Sequence, residues 1–330
     1  MSEHPAIRAA KRAVSGCGDP SRGMQEGADR RKMPPVPAGV PQLDAQCVRL
    51  TVPPESLPVE MRSWPAFNPS IVAHHGQLLV NVRLHEPNSE RSLRRSVNVI
   101  AALDPVSGQL DEARLVQYLP DTAAPVYFED VRLVSLGDCV VGCASACDRV
   151  SPPQFAVLDL NNEGHIFAAH VQRSSGVQKN WMPVAVRRPG VVRDALGFIY
   201  STDPIVTVGY ELGVCSPAAD ALPPLTPDSP RGGSQLVPCD DGSWLAVVHQ
   251  LFGRPPYTHA SLVYLHRFAR FAPDLRSVTL GPLWHLGHIG IEYVAGLARF
   301  EGQWLLSFGR HDREAWLATV RPQTIQEMAP

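Results

Sequence analysis

The sequence has no apolar run approaching the roughly 18–20 residues that span a bilayer. Its N-terminus has no apolar stretch of the kind that directs secretion. Neither sign of charge dominates: 30 Lys and Arg face 32 Asp and Glu, a net charge of −2. That balance gives no electrostatic footprint for nucleic acid. Sustained helical periodicity is also missing, and 32 prolines interrupt the chain. Many short strands joined by loops are expected instead. There are seven cysteines, so they cannot all be paired. Cys139, Cys143 and Cys147 in "GDCVVGCASACD" have three residues between neighbours, where a zinc knuckle has two. The plainer reading is small apolar side chains on one face of a strand. "HLGHIGIE" (His285, His288, Glu292) matches a metal-ligand set only loosely. No metal or cofactor is expected. Thiols without a secretory leader suit a reducing compartment, and the expected location is the cytoplasm.

What is present is an ordinary globular balance, 44% hydrophobic and 19% charged, over 330 residues. That is enough for a sizeable core, long for one average domain and short for three. Residues 1–45 are rich in Gly, Pro, Ala and charge. Up to Lys32 they hold seven Lys and Arg against four Asp and Glu. They are expected to be a disordered tail, leaving 46–330 as the folded domain.

In that domain one pattern recurs: a polar start, an apolar strand, a tight turn, a second apolar strand and a polar end. It appears in "NPSIVAHHGQLLVNVR" (68–83), "EDVRLVSLGDCVVGCAS" (129–145) and "NWMPVAVRRPGVVRDALGFIYSTD" (180–203). It returns in "GGSQLVPCDDGSWLAVVH" (232–249) and "EYVAGLARFEGQWLLSFGRHD" (292–312). The turns carry hairpin chemistry at His75-Gly76, Gly137-Asp138, Asp241-Gly242 and Glu301-Gly302. The markers Asn68, Glu129, Asn180, Gly233 and Glu292 stand 61, 51, 53 and 59 residues apart. One hairpin per 50–60 residues is a propeller-type repeat. Further strand-like runs such as "RSVNVIAALD", "QFAVLDLN" and "SLVYLHRFARF" would complete the sheets. The expected fold is all-β, a five-bladed β-propeller; a β-sandwich gives no reason for five similar hairpins. The strand "CVRLTV" or the C-terminal "AWLATV" is expected to help close the ring.

A propeller explains the polar ends. Strand middles are buried between neighbouring blades, while the inner strands line a central channel. Asn68, Glu129-Asp130, Lys179-Asn180, Arg231 and Glu292 would then converge on one end of that channel.

The segments "FNPS", "EDVR", "QKNWMPV", "RGGSQLV", "WLAVVH", "YTH", "IEYVAGLA" and "GRHD" resemble the five-bladed propellers of glycoside hydrolase family 130. That family contains β-mannoside phosphorylases. The likeness is closer still to its β-1,2-mannosyltransferase-like relatives, and it runs from about residue 60 to 320. It implies chemistry on β-linked mannosides by phosphorolysis, hydrolysis or transfer. It implies Asp130 as general acid, although Val131 stands where the family's segment has Pro. Lys179 and His249 match phosphate-binding positions, and Asn68 and Asp312 match sugar-contacting ones. A further phosphate-binding Arg would be Arg149 or Arg173.

The residues themselves agree in kind. Glycoside chemistry needs an acid for the leaving oxygen and a base or an anion at the anomeric carbon. Asp130 with Lys179, Arg231, His249 and His259 would supply one acid among several donors suited to phosphate. An inverting hydrolase would need a second carboxylate, for which Glu292 and Glu129 are the obvious choices. Plainer readings stand beside these. Asp130 and Arg132 could form a structural ion pair, and His249 could be a core histidine. Trp181 could stack on a sugar or between blades. Arg231 could clamp its glycine loop, Lys179 could reach solvent and Asp312 could hold a hairpin corner. The expected function is inverting phosphorolysis of β-mannosides, or mannosyl transfer from a sugar phosphate. Inorganic phosphate or sugar phosphate would be co-substrate, and an oligosaccharide or glycan the partner. An inverting hydrolase and a non-catalytic carbohydrate-binding propeller are the alternatives.

Overall fold

The structure is a computed structural model that describes residues 34–87, 96–118, 127–147, 154–160, 165–172, 177–186, 194–211, 214–218, 221–223, 225, 229–253 and 261–330. The chain forms five sheets. Strand β1 (Ala45–Leu50) comes first in the chain but belongs to the last sheet. Blade one is β2 (Ala66–His74), β3 (Gln77–His85), β4 (Ser96–Leu103) and β5 (Leu110–Leu115). After the short β6 (Gln117–Tyr118), blade two is β7 (Tyr127–Leu136), β8 (Cys139–Cys147), β9 (Gln154–Leu160) and β10 (His165–Gln172), with β6 along its outer edge. Blade three is β11 (Met182–Val186), β12 (Ala195–Thr202), β13 (Ile205–Glu211) and β14 (Val214–Ser216). Blade four has a broken inner strand, β15 (Arg231–Gly232) and β16 (Val237–Pro238), followed by β17 (Trp244–Gly253), β18 (Leu262–Phe271) and β19 (Val278–Leu280). Blade five is β20 (Glu292–Phe300), β21 (Gln303–Arg310) and β22 (Glu314–Val320). Its fourth strand is β1, paired with β22 from Ala45↔Val320 to Leu50↔Ala315. Both strands expected to close the ring therefore do so together, which removes two sheet edges.

Local chemistry sets each hairpin. Both residues of His75-Gly76 and of Glu301-Gly302 have positive φ, the geometry of the two-residue turns that match strand twist. The apolar middles then form one layer at each blade junction. Val80 and Val82 of blade one meet Leu305 and Leu317 of blade five. Val72 of blade one meets Leu133 and Val140 of blade two. Phe155 of blade two meets Phe198 of blade three. Met182 and Val184 of blade three meet Ala246 and Val248 of blade four. Leu245 and Val247 of blade four meet Val294 and Leu297 of blade five.

The channel is cross-braced by side chains. Gln235 of blade four donates to the carbonyls of Ile71 in blade one, at 2.6 Å, and Leu297 in blade five, at 2.7 Å. Ser307 of blade five donates to the carbonyl of Pro69 at 2.6 Å.

The expected tail, residues 1–45, is corrected for residues 34–45, Ala45 being the first residue of β1. Leu43 is buried in the layer between blades four and five, and Val36 and Val40 lie against Phe252, Val263 and Leu265. The backbone of Leu43 donates to His285 at 2.8 Å. "PPVPAGVPQL" has no helical or strand period, because an extended proline-rich segment can bury scattered apolar residues without one. Residues 1–33 lie outside the described residues.

Candidate active site

Three inner strands carry a non-glycine residue in the left-handed region near their leading ends: Asn68 (φ 44°), Asp130 (φ 50°) and, just before β11, Asn180 (φ 63°). Asn and Asp tolerate that region better than other side chains. The pairing register of β2 with β3 shifts between Phe67 and Ser70, and that of β7 with β8 between Glu129 and Arg132. Such bulges re-aim a side chain from the sheet face. Here they bring Asn68 and Asp130 together, with Asn68 Nδ2 donating to Asp130 Oδ1 at 3.0 Å. Beside these residues, close approach of the blades needs glycine at Gly309 and Gly232. A Cβ on Gly309 would lie 2.2 Å from Asn68 Oδ1, and one on Gly232 would lie 2.1 Å from the Asn180 carbonyl.

Beside Asp130 lies a charge cluster. Arg83, at the end of β3, reaches Glu129 Oε1 at 2.6 Å and Asp130 Oδ1 at 3.5 Å. Lys179 Nζ reaches Glu129 Oε2 at 2.7 Å. The Arg83, Glu129, Asp130 and Lys179 side chains are only 12–16% exposed. Burial alone would raise the Glu129 pKa, but Arg83 and Lys179 outweigh it and hold the carboxyl well below its usual range. Burial likewise opposes the charge on Lys179, and Glu129 outweighs it, raising the ammonium pKa.

Blade four contributes Arg231 and His249. They are directly opposed in the β15–β17 ladder, so their side chains share one face. Nδ1 of His249 and Nε of Arg231 are buried without a hydrogen-bond partner among the described residues. His249 stacks on Tyr264 at 5.3 Å and meets the Tyr293 ring edge-on at 5.1 Å. Burial first, then His266, Arg231 and Arg132, push its imidazole well below the usual histidine pKa, so it is neutral near pH 7. The Tyr264 hydroxyl is raised by burial and then by the charge of Asp312. Asp312 lies in the β21–β22 turn with φ 53°.

The structure thus brings Asn68, Asp130 and Lys179 together, with Arg231 and His249 beside the tyrosines that adjoin them. Two expected members stand elsewhere. Glu292 is 0% exposed and lies between blades four and five. It accepts from the backbone of Leu286 at 2.5 Å and from Arg310 at 3.3 Å, with His266 3.8 Å away. Tyr293, the next residue, turns its hydroxyl to Arg132 and Asn180, so strand alternation turns Glu292 away. Trp181 is 0% exposed and stacked on Phe155 at 4.2 Å; this is the blade-packing reading, and no face is left for a sugar. Arg132 does not ion-pair with the Asp130 carboxylate; it donates to the Asp130 carbonyl at 3.2 Å. His259, Arg149 and Arg173 lie outside the described residues. Among the described residues no group of His, Cys, Asp and Glu could hold a metal ion.

Sequence reasoning passed over Arg83, Tyr264 and Tyr293, whereas Asn180 stands where it was expected, beside Lys179. Arg83 ends its hairpin as a polar exit, and Tyr293 is the strand-phase alternative to Glu292. Those two signals were present in the sequence.

The Glu129 cluster carries a stability prediction. A carboxyl with a depressed folded pKa stabilises above its unfolded value near 4.5, and that contribution is lost as pH falls further. Glu129→Gln should cost about 3–5 kcal/mol at pH 7, because it strands buried cations. It should also flatten the fall in stability below pH 5. Urea midpoints from pH 3 to 7 check this; a variant whose pH dependence matches wild type would overturn it.

No protein-family model matches the chain, and no curated protein matches it. Solved structures do. One is from the family 130 of mannoside phosphorylases, described as containing glycoside hydrolases that target β-1,2 mannosidic linkages in Candida mannan. It is 13% identical with a TM-score of 0.58, covering 88% of this chain and 97% of the other. The fold is that of the family 130 propellers. A mannose phosphorylase from Leishmania mexicana in complex with phosphate ion is 12% identical, TM-score 0.54, over 86% of this chain and 90% of its own. A GDP-Man-dependent mannosyltransferase from the same organism is 14% identical, TM-score 0.57, over 86% and 91%. One architecture thus carries three chemistries, and only the site distinguishes among them.

Proposed function

We propose that the chain is a carbohydrate-active enzyme for β-mannosides that uses an anionic co-substrate. It would work by inverting phosphorolysis or by mannosyl transfer from a sugar phosphate. The observation that supports this reading is the Arg231–His249 pair, adjacent donors on one face with buried nitrogens that lack a hydrogen-bond partner among the described residues. A planar guanidinium beside an imidazole N–H suits phosphate oxygens. In phosphorolysis a phosphate oxygen attacks the anomeric carbon and the glycosidic C–O bond breaks. The Asp130 proton passes to the departing oxygen, directly or through a sugar hydroxyl. The product is a mannosyl phosphate of inverted configuration; transfer runs the same steps backwards. Asn68 holds Asp130, and Asn68 and Asp312 contact the sugar. Lys179 keeps donors for the anion, although its charge is balanced by Glu129.

Hydrolysis fits less well. An inverting hydrolase needs a carboxylate free to activate water about 6.5–9.5 Å from the acid. Glu129 is held ionised by two cations, and Glu292 is enclosed between blades. The six described cysteines are free thiols, which suits the cytoplasm. No helix among the described residues is long and apolar enough to cross a membrane.

Incubation with mannose 1-phosphate and a panel of acceptors, with phosphate release recorded, tests the reading. Release coupled to β-mannoside formation is the expected result. Turnover of glycans with neither phosphate nor sugar phosphate present would overturn it in favour of hydrolysis. Turnover only with nucleotide-linked mannose would replace the donor class.

A further inference from the structure

We infer that Arg132 is the positioning residue of this site, an inference that rests on the reading above. Its side chain is 1% exposed, yet it has no carboxylate partner among the described residues. Its acceptors among the described residues are neutral oxygens drawn from four blades. Nε donates to the Gly233 carbonyl and Nη1 to that of Asp130. Nη2 faces the Gly232 carbonyl at 3.3 Å, Asn180 Oδ1 at 3.2 Å and the hydroxyl of Tyr293. The Tyr293 hydroxyl lies 3.2 Å from the same Asn180 oxygen.

Two consequences follow. The left-handed residues Asp130 and Asn180 are each held by this one guanidinium, Asp130 through its backbone and Asn180 through its side chain. The conformations that aim them are costly alone and persist where the surroundings over-determine them. Buried charges are ordinarily paired. Arg132 leaves a positive charge beneath a floor that the Arg231–His249 pair would offer to an anion. A purely structural brace could have been built from neutral groups, as Gln235 shows across the same channel. Arg132 touches neither sugar nor anion; it acts through Asp130, Asn180 and Tyr293.

The test uses the full chain and Arg132→Lys, Tyr293→Phe, their double variant and Arg132→Ala. Arg132→Lys keeps the charge but not the planar fork. It should lower kcat by about 30-fold with KM for mannose 1-phosphate within about threefold, the pattern of a lost transition-state arrangement. Tyr293→Phe should lose about fivefold, and the double variant no more than Arg132→Lys alone, because both act through one network. Guanidinium should restore part of the Arg132→Ala activity, and urea, of the same shape but neutral, should not. Where Arg132→Ala does not fold, the Lys and Phe variants decide. An Arg132→Lys enzyme with near wild-type kcat, or additive losses that track melting temperature alone, would overturn the inference. A wild type inert in the mannose 1-phosphate panel would instead overturn the functional reading on which it rests.

Discussion

Asp130→Asn should abolish turnover while leaving the propeller and its sugar affinity nearly intact. Asn is isosteric with Asp and tolerates the left-handed φ of 50° at this position. Its amide oxygen can still accept from Asn68, and Arg83 keeps Glu129 as its principal partner at 2.6 Å. What the substitution removes is a transferable proton. General acid catalysis contributes about 10²–10⁴-fold, so a loss of about 10³-fold in kcat is expected. Ala is the wrong replacement, since it would add about 1–2 kcal/mol of left-handed strain to the chemical effect. Initial rates, glycan titration calorimetry and melting curves on the same preparation separate the possibilities. A variant that keeps more than a tenth of the activity would remove Asp130 from the acid's role. A wild type that binds glycans but turns none over would be a binding propeller.

The features legible in the sequence are those fixed over short range. Two-residue turns and alternating strands announce themselves locally, and their recurrence every 51–61 residues marks the blades. Strand phase was harder. Asp130 and Arg132 are two apart, which on a regular strand places them on one face and invites an ion pair. The register shift between Glu129 and Arg132 resets that phase and sends the guanidinium beneath the site. At Glu292 the pattern gave no means of choosing between it and Tyr293 as the residue that joins the site. Trp181 is decided by Phe155 in another blade, a contact no local window contains. Blade four hides its own geometry: its inner strand is broken after Gly232, so the Arg231–His249 pairing is visible only once the ladder is known.

Arg231→Ala should weaken phosphate binding far more than it weakens the fold. The guanidinium has no ion pair with a carboxylate among the described residues, and its Nε is buried without a partner; deleting it leaves no opposite charge stranded. Burial lowers its pKa, so a bound anion would relieve an existing electrostatic cost. Charge-assisted hydrogen bonds contribute about 1.5–3 kcal/mol each, so losing the two parallel bonds of a guanidinium predicts a fall in phosphate affinity of about 100-fold or more. Arg231→Lys restores a point charge without the fork and should recover only part of that loss. Lys179→Ala is the informative contrast. It takes one of two cations from Glu129, so its main effect should be on stability, with a smaller change in phosphate affinity. Phosphate titrations and urea midpoints on the three variants read both quantities. If Arg231→Ala binds phosphate within about threefold of wild type while Lys179→Ala does not, the anion is seated on blade three, and Arg231 only clamps its glycine loop.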